Sequence, residues 1–73
     1  MDTISVIGLG YIGLPTASVI ASNGVKTYGV DIDTKTVDSI NSGKSGIVEP
    51  GLDKLLKKVV NNGSLTAITK PKK

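Results

Sequence analysis

Gly8-Leu9-Gly10-Tyr11-Ile12-Gly13 follows directly on the apolar run Ile4-Ser5-Val6-Ile7 and opens a helix-like run. A lone G-x-G-x-x-G recurs by chance, so its placement carries more weight than the pattern. A second strand-like run follows, Lys26-Thr27-Tyr28-Gly29-Val30-Asp31, ending in an acid 18 positions beyond Gly13. Strand, glycine turn, helix, strand and terminal acid form the context in which the motif reads as a dinucleotide-binding fingerprint.

Each glycine has a separate physical task. Gly8 lets the backbone turn sharply off the strand, where a Cβ would clash. Gly10 lets the main chain approach a pyrophosphate, and Gly13 lets the helix lie close to the sheet. The free N–H groups around Gly10, Tyr11 and Ile12 point at the phosphates, and the positive end of the helix dipole favours the same anion. Asp31, at the tip of the second strand, accepts hydrogen bonds from an adenosine ribose and repels a 2′-phosphate. No arginine follows it, because the chain contains none, so NAD is expected over NADP. A glycine turn that binds nothing would show the same three glycines; Asp31 argues against it. Asp31 or Asp33 could also cap the next helix. Both roles fit together, with Asp31 on the ribose and Asp33 or Thr34 as the cap.

At 73 residues the chain is half the usual size of a doubly wound nucleotide-binding domain, and its stability should be marginal. It has no cysteine, which excludes disulfides, zinc-thiolate sites and a thiol nucleophile. It has no histidine, the usual general base and commonest metal ligand. The net charge of +3 comes from nine lysines, six of them after position 53. Without arginine, and with Tyr11 and Tyr28 as the only aromatics, this is a poor nucleic-acid surface. Lys54, Lys57 and Lys58 read instead as the solvated face of a helix, and Lys70-Pro71-Lys72-Lys73 as linker. The amino-terminus lacks the basic region and long apolar run of a signal peptide, and no segment approaches the ~20 apolar residues of a membrane span. The expected compartment is the cytosol, with neither nucleic acid nor membrane as partner.

Thr3 to Ile7 is almost wholly apolar, as expected of a strand buried on both faces. Ile12 to Asn23 reads as a helix closed by Asn23-Gly24, with Gly13, Ala17 and Ala21 as a stripe of small residues against the sheet. Pro15 lies near its start, where it forfeits at most one backbone hydrogen bond. After the second strand comes a helix from about Thr34 to Asn41, with Val37 and Ile40 inward, then the flexible composition Ser42-Gly43-Lys44-Ser45-Gly46. Glu49-Pro50-Gly51 opens another helix with proline near its first position. Leu52, Leu55, Leu56, Val59 and Val60 follow the i, i+3, i+4, i+7, i+8 spacing of an amphipathic helix. Asn61-Asn62-Gly63 ends it, and Leu65 to Thr69 is a third strand. The fold class is α/β: a three-layer half-domain with parallel sheet β-α-β-α-α-β, a truncated doubly wound fold. Strand one should be central, flanked by strand two with strand three beyond it. The third strand would be an exposed edge that invites self-association.

Three motifs carry a family resemblance over nearly the whole chain: Val6 to Ala17 around the glycines, Gly29-Val30-Asp31-Ile32-Asp33, and Ile47-Val48-Glu49-Pro50-Gly51-Leu52. In order and separation they resemble the start of the nucleotide-sugar 6-dehydrogenases, the UDP-glucose, UDP-N-acetylmannosamine and GDP-mannose dehydrogenase family. Gly13-Leu14-Pro15 with Val48-Glu49-Pro50 looks most like the UDP-N-acetylhexosamine branch, its UDP-N-acetyl-D-mannosamine members first. The resemblance implies a Rossmann-like domain and a much longer chain, of which residues 1–73 would be the amino-terminal part of the NAD-binding domain. It implies a cytoplasmic oxidoreductase of polysaccharide biosynthesis, a homodimer or higher, that oxidises the C6 alcohol of a UDP-sugar to a carboxylate with two NAD+. The catalytic cysteine, a lysine and the sugar-binding domain would lie beyond Lys73, so these residues alone would not catalyse. Carried over position by position, Tyr11 and Ile12 would meet the pyrophosphate through their amides, and Asp31 the ribose. Glu49 to Leu52 would serve the helix start. Many UDP-glucose dehydrogenases carry a basic residue where Thr36 stands, beside Lys35, so that partner for the ribose or phosphate is in question.

Two other function classes compete. A nucleotide-sensing regulatory module of the potassium-transport type opens with a similar glycine turn, but would not be expected to carry Glu49-Pro50-Gly51-Leu52. A flavin enzyme more often places glutamate at Asp31. Binding of NAD by these residues alone should be millimolar at best, on the order of −4 kcal/mol.

Overall fold

The computed structural model describes residues 3–47 and 49–70. Val48 of the third motif and the Pro71-Lys72-Lys73 part of the linker lie outside them. The elements run β1 (Thr3–Ile7), α1 (Gly13–Ser22), β2 (Lys26–Val30), α2 (Thr34–Asn41), α3 (Leu52–Asn61) and β3 (Leu65–Ile68). All strand pairing is parallel, in the order β1-β2-β3, with Val6 opposite Gly29 and Gly29 opposite Ala67. The order is the expected one, with β2 beside β1 and β3 beyond it.

Crossovers between parallel strands are right-handed as a rule, and two running the same way across a sheet put their helices on one face. One core cluster joins Leu14, Ala17 and Ala21 of α1, Val37 and Ile40 of α2, Leu56 and Val59 of α3, and Leu65 and Ala67 of β3. The α/β parallel architecture is as expected, and the described residues supply two of its three layers: the sheet and one helical layer. On the sheet's other side, the Lys26 ammonium lies 5.1 Å from the ring centre of Tyr28 and donates to Thr66 Oγ1.

The small-residue stripe does what its spacing implied. Ala17 and Ala21 are fully buried, and Ser18 beside them turns its hydroxyl back onto Leu14 O at 2.9 Å. Leu52, Leu56 and Val59 of α3 are buried, with Leu55 and Val60 packed against the core. Asp33 caps α2, accepting from Lys35 N at 3.0 Å and from Thr36 Oγ1 at 3.2 Å. Among the described residues no helix is long and apolar enough to cross a membrane.

Several expectations need correction. β1 is not buried on both faces: Thr3, Ile4, Ser5 and Ile7 are exposed, Ile7 by 68 %, because among the described residues β1 pairs on one side only and no element covers its flank. The β3 edge is less open than expected. The Asn41 amide donates to Ala67 O and accepts from Ala67 N, both at 2.9 Å, taking the place of a neighbouring strand. Pro50 is not at the first helical position. Gly51, at φ 82°, is the residue that caps α3, and Pro50 precedes it. The Ser42–Gly46 stretch is tied down rather than loose: Ser45 N donates to Asp53 Oδ1 at 3.0 Å, the Ser45 hydroxyl donates to the same oxygen, and Ile47 N donates to Ser45 Oγ. These bonds hold the Asp53 carboxyl below its ordinary value.

Candidate functional site

The carboxyl ends of β1 and β2 lie side by side, with Ile7 opposite Val30, so the glycine turn and Asp31 leave the sheet together. Gly8 N donates to Val30 O at 2.8 Å, extending the ladder one residue into the turn. There the chain swings to φ 87°, a conformation that favours glycine. Gly13 is constrained by contact: a Cβ on it would lie 1.7 Å from Gly8 O and 2.9 Å from Gly8 C.

Gly10 differs from both. Its φ is not positive, and a Cβ there would meet no atom within 4 Å. Nothing among the described residues requires a glycine at position 10, and the space beside it is open. Among the described residues, the amides of Gly10, Tyr11 and Ile12 find no acceptor, while Leu14 N and Thr16 N turn back to Gly10 O and Ile12 O. Tyr11 is 79 % and Ile12 83 % exposed, and both line an open groove of about 590 Å³ with Val6, Ile7, Gly8, Gly10, Gly13 and Thr16. Unpaired amides beside the positive end of α1 make a cradle for an anion, and a phosphate fits that donor set. No side chain caps α1, so the cradle is open.

Asp31 borders the turn on its β2 side. Its Oδ2 accepts from Leu9 N at 3.1 Å and its Oδ1 from Asp33 N at 2.9 Å. The bond from Asp33 and then that from Leu9 pull its pKa below the ordinary value, against a smaller opposing effect of burial. The carboxylate is thus ionised near neutral pH, and its remaining lone pairs can accept from a sugar hydroxyl. Thr36 donates its hydroxyl to Asp33 Oδ2 at 3.2 Å. The structure therefore brings Gly8, Gly10, Tyr11, Ile12, Gly13 and Asp31 to one sheet edge. It also adds two residues that reading by motif overlooked, Leu9 and Gly29. Leu9 fills the space over Gly29, and the signal available in advance was a glycine inside a strand.

Stability follows the acids' titration. A carboxyl whose folded pKa is depressed contributes stability above its unfolded pKa, and that contribution is lost as pH falls through the folded value. Asp31 and Asp53 are both lowered, so their contribution should be complete above about pH 4 and fade below it. Urea midpoints between pH 6 and pH 2 check this: Asp31→Asn should flatten the acid limb, and an unchanged slope would contradict it.

The glutamate-proline segment lies away from the cradle. Pro15, Val19, Glu49, Pro50, Gly51, Leu52 and Leu55 surround a separate apolar groove of about 240 Å³ between α1 and α3. Among the described residues no three of histidine, cysteine, aspartate and glutamate gather as for a metal.

Comparison with known proteins gives the chain's relatives. The chain is 59 % identical over 70 residues to a UDP-N-acetyl-D-mannosamine dehydrogenase of Campylobacter jejuni, covering 96 % of this chain and 17 % of that protein. It is 56 % identical over 69 residues to an NDP-N-acetyl-D-galactosaminuronic acid dehydrogenase of Ralstonia nicotianae, covering 94 % of this chain and 16 % of that one. The native structure of the UDP-N-acetyl-mannosamine dehydrogenase of Staphylococcus aureus superposes with a TM-score of 0.93 at 42 % identity, over 97 % of this chain and 17 % of that one. The chain thus spans about a sixth of the length of these relatives. Residues 2–73 match the model of the NAD-binding domain of the UDP-glucose/GDP-mannose dehydrogenase family, and the chain belongs to that family.

Proposed function

We propose that this chain is the first part of the NAD-binding domain of a nucleotide-sugar 6-dehydrogenase, the part that holds the adenosine and pyrophosphate. The observation that carries the reading is Gly10: a glycine the fold does not need, beside three amides without acceptors. The amides of Tyr11 and Ile12 hold the pyrophosphate, Gly10 admits it, Gly8 and Gly13 shape the turn, and Asp31 accepts from the ribose hydroxyls and rejects a 2′-phosphate. Bound NAD+ supplies a hydride acceptor for oxidising an alcohol. The chain's own residues bind and orient that acceptor; without cysteine or histidine they hold no thiol nucleophile and no imidazole base.

The whole enzyme would oxidise the C6 alcohol of a UDP-sugar to the uronate in two steps, supplying a donor for polysaccharide synthesis from the cytosolic nucleotide-sugar pool. UDP-N-acetyl-D-mannosamine is the first candidate, from the names of the Campylobacter and Staphylococcus relatives. The Ralstonia relative is nearly as similar, which keeps an N-acetylgalactosamine sugar as the alternative. UDP-glucose stands behind both.

Thermal unfolding with each nucleotide tests the reading. NAD+ at ten times its dissociation constant should stabilise the chain by about 1.4 kcal/mol, with NADP+ much less effective. Asp31→Ala should abolish most of the NAD+ effect, and equal stabilisation by both nucleotides would refute the role of Asp31.

Self-association of the chain should run along β1, whose flank is exposed, rather than along β3, which Asn41 guards. In sedimentation velocity, Ile7→Lys should reduce any dimer and Asn41→Ala should increase it. The reverse order would place the contact at β3.

A further inference from the structure

The glycine turn is fastened to β2 at a point that no nucleotide would touch. Leu9 is the residue between the first two glycines of the motif, yet it is only 4 % exposed and belongs to the core cluster. Its side chain lies over Gly29, the last residue but one of β2. A Cβ on Gly29 would stand 2.7 Å from Leu9 Cδ2, 2.9 Å from Cδ1 and 3.4 Å from Cγ. The 3.4 Å approach to Cγ is ordinary contact, so it is the two methyls that must shift to admit a Cβ, and Leu9 makes that shift inside a close-packed core. The amide of Leu9 meanwhile donates to Asp31 Oδ2, two residues beyond Gly29.

We propose that Leu9 and Gly29 are positioning residues for NAD: their packing sets the distance between the Asp31 carboxylate and the amides of Gly10, Tyr11 and Ile12. The inference rests on the NAD reading above. The adenosine ribose and the pyrophosphate are parts of one molecule with fixed separation, so carboxylate and cradle must keep register. Asp31 is tied to β3 through its own amide, which donates to Ile68 O at 3.0 Å, and Gly8 is tied to Val30. Leu9 closes the remaining link with one side chain and one N–H.

A size swap in the full 73-residue chain tests this. Gly29→Ala should push Leu9 and its amide off Asp31 and weaken NAD+ binding at least tenfold. Leu9→Ala should loosen the turn and weaken binding several-fold. The double variant, in which the small side chain takes up space the large one has left, should bind more tightly than either single variant. A 13C titration of the Asp31 carboxyl supplies a readout that needs no nucleotide. Its midpoint should rise towards the ordinary aspartate value in Gly29→Ala and fall back in the double variant.

Should Gly29→Ala fail to fold, the comparison of the double variant with Leu9→Ala still decides. A double variant that binds no better than Leu9→Ala overturns the proposal, as does a Gly29→Ala chain that folds with unchanged Asp31 titration and NAD+ affinity. If the unsubstituted chain ignores NAD+ while the carboxyl titrations follow the predicted order, the NAD reading fails and the Leu9–Gly29–Asp31 linkage itself stands.

Discussion

Gly13→Ala will abolish the cooperative fold of this chain. A methyl group at position 13 has nowhere to go: 1.7 Å from Gly8 O is less than half a normal contact, and the neighbour is backbone rather than a movable side chain. Gly8 cannot retreat without giving up its hydrogen bond to Val30 O and its position at the end of the ladder. The start of α1 must lift instead. Leu14, Ala17 and Ala21, all essentially inaccessible to solvent, would then lose their contact with the sheet. Overpacking that forces side chains and backbone to shift costs about 1–3 kcal/mol and occasionally more, and an approach this close to backbone belongs at the upper end. A domain of this size holds only about 4–11 kcal/mol in total. The expected result is loss of amide dispersion in the NMR spectrum and no sigmoidal urea transition. A folded Gly13→Ala chain with a normal midpoint would mean that the turn is more plastic than its packing indicates.

Gly10→Ala should do the opposite. Among the described residues no atom beyond its chain neighbours lies within 4 Å of the new methyl, and φ at position 10 is not positive, so the fold should persist. Its stability should stay within about 0.5 kcal/mol of the parent, or rise slightly because alanine restricts the unfolded chain. Binding is where the cost appears. The methyl would occupy the space through which the amides of Gly10, Tyr11 and Ile12 reach a phosphate. A tenfold or greater loss of NAD+ affinity is expected, about 1.4 kcal/mol, enough to carry millimolar binding out of range. The contrast is diagnostic, because one glycine serves the fold and the other serves a ligand. Unchanged NAD+ affinity in Gly10→Ala would remove the main reason for reading the turn as a phosphate site.

Much of this was legible in the residues. β1 and α2 begin and end where their apolar runs and caps do, and the heptad-like spacing of Leu52, Leu56 and Val59 found the buried face of α3. The glycine turn and Asp31 were placed together because short-range geometry decides them: a strand, a tight turn and a second parallel strand put both at the same sheet edge. What escaped depends on distant partners. Nothing local announces that the Asn41 amide will take the place of a strand along Ala67, 26 residues away. Ser45 looked like flexible linker by composition, yet its bonds to Asp53 form across a turn whose shape no residue type dictates. The apolar content of β1 implied burial on both faces. Burial depends on what lies alongside, and among the described residues only β2 pairs with it. Gly29 was visible as a strand glycine, but its cause, the Leu9 side chain above it, is a tertiary fact.

The most direct test of the cradle is an amide-resolved NMR titration of the chain with NAD+, with NADP+ as control. Shifts concentrated at Gly8 to Gly13 and at Asp31, saturating with NAD+ and much weaker with NADP+, are the predicted result. Shifts scattered over the surface, or a dispersed spectrum indifferent to both nucleotides, would contradict the assignment of a nucleotide site to these residues.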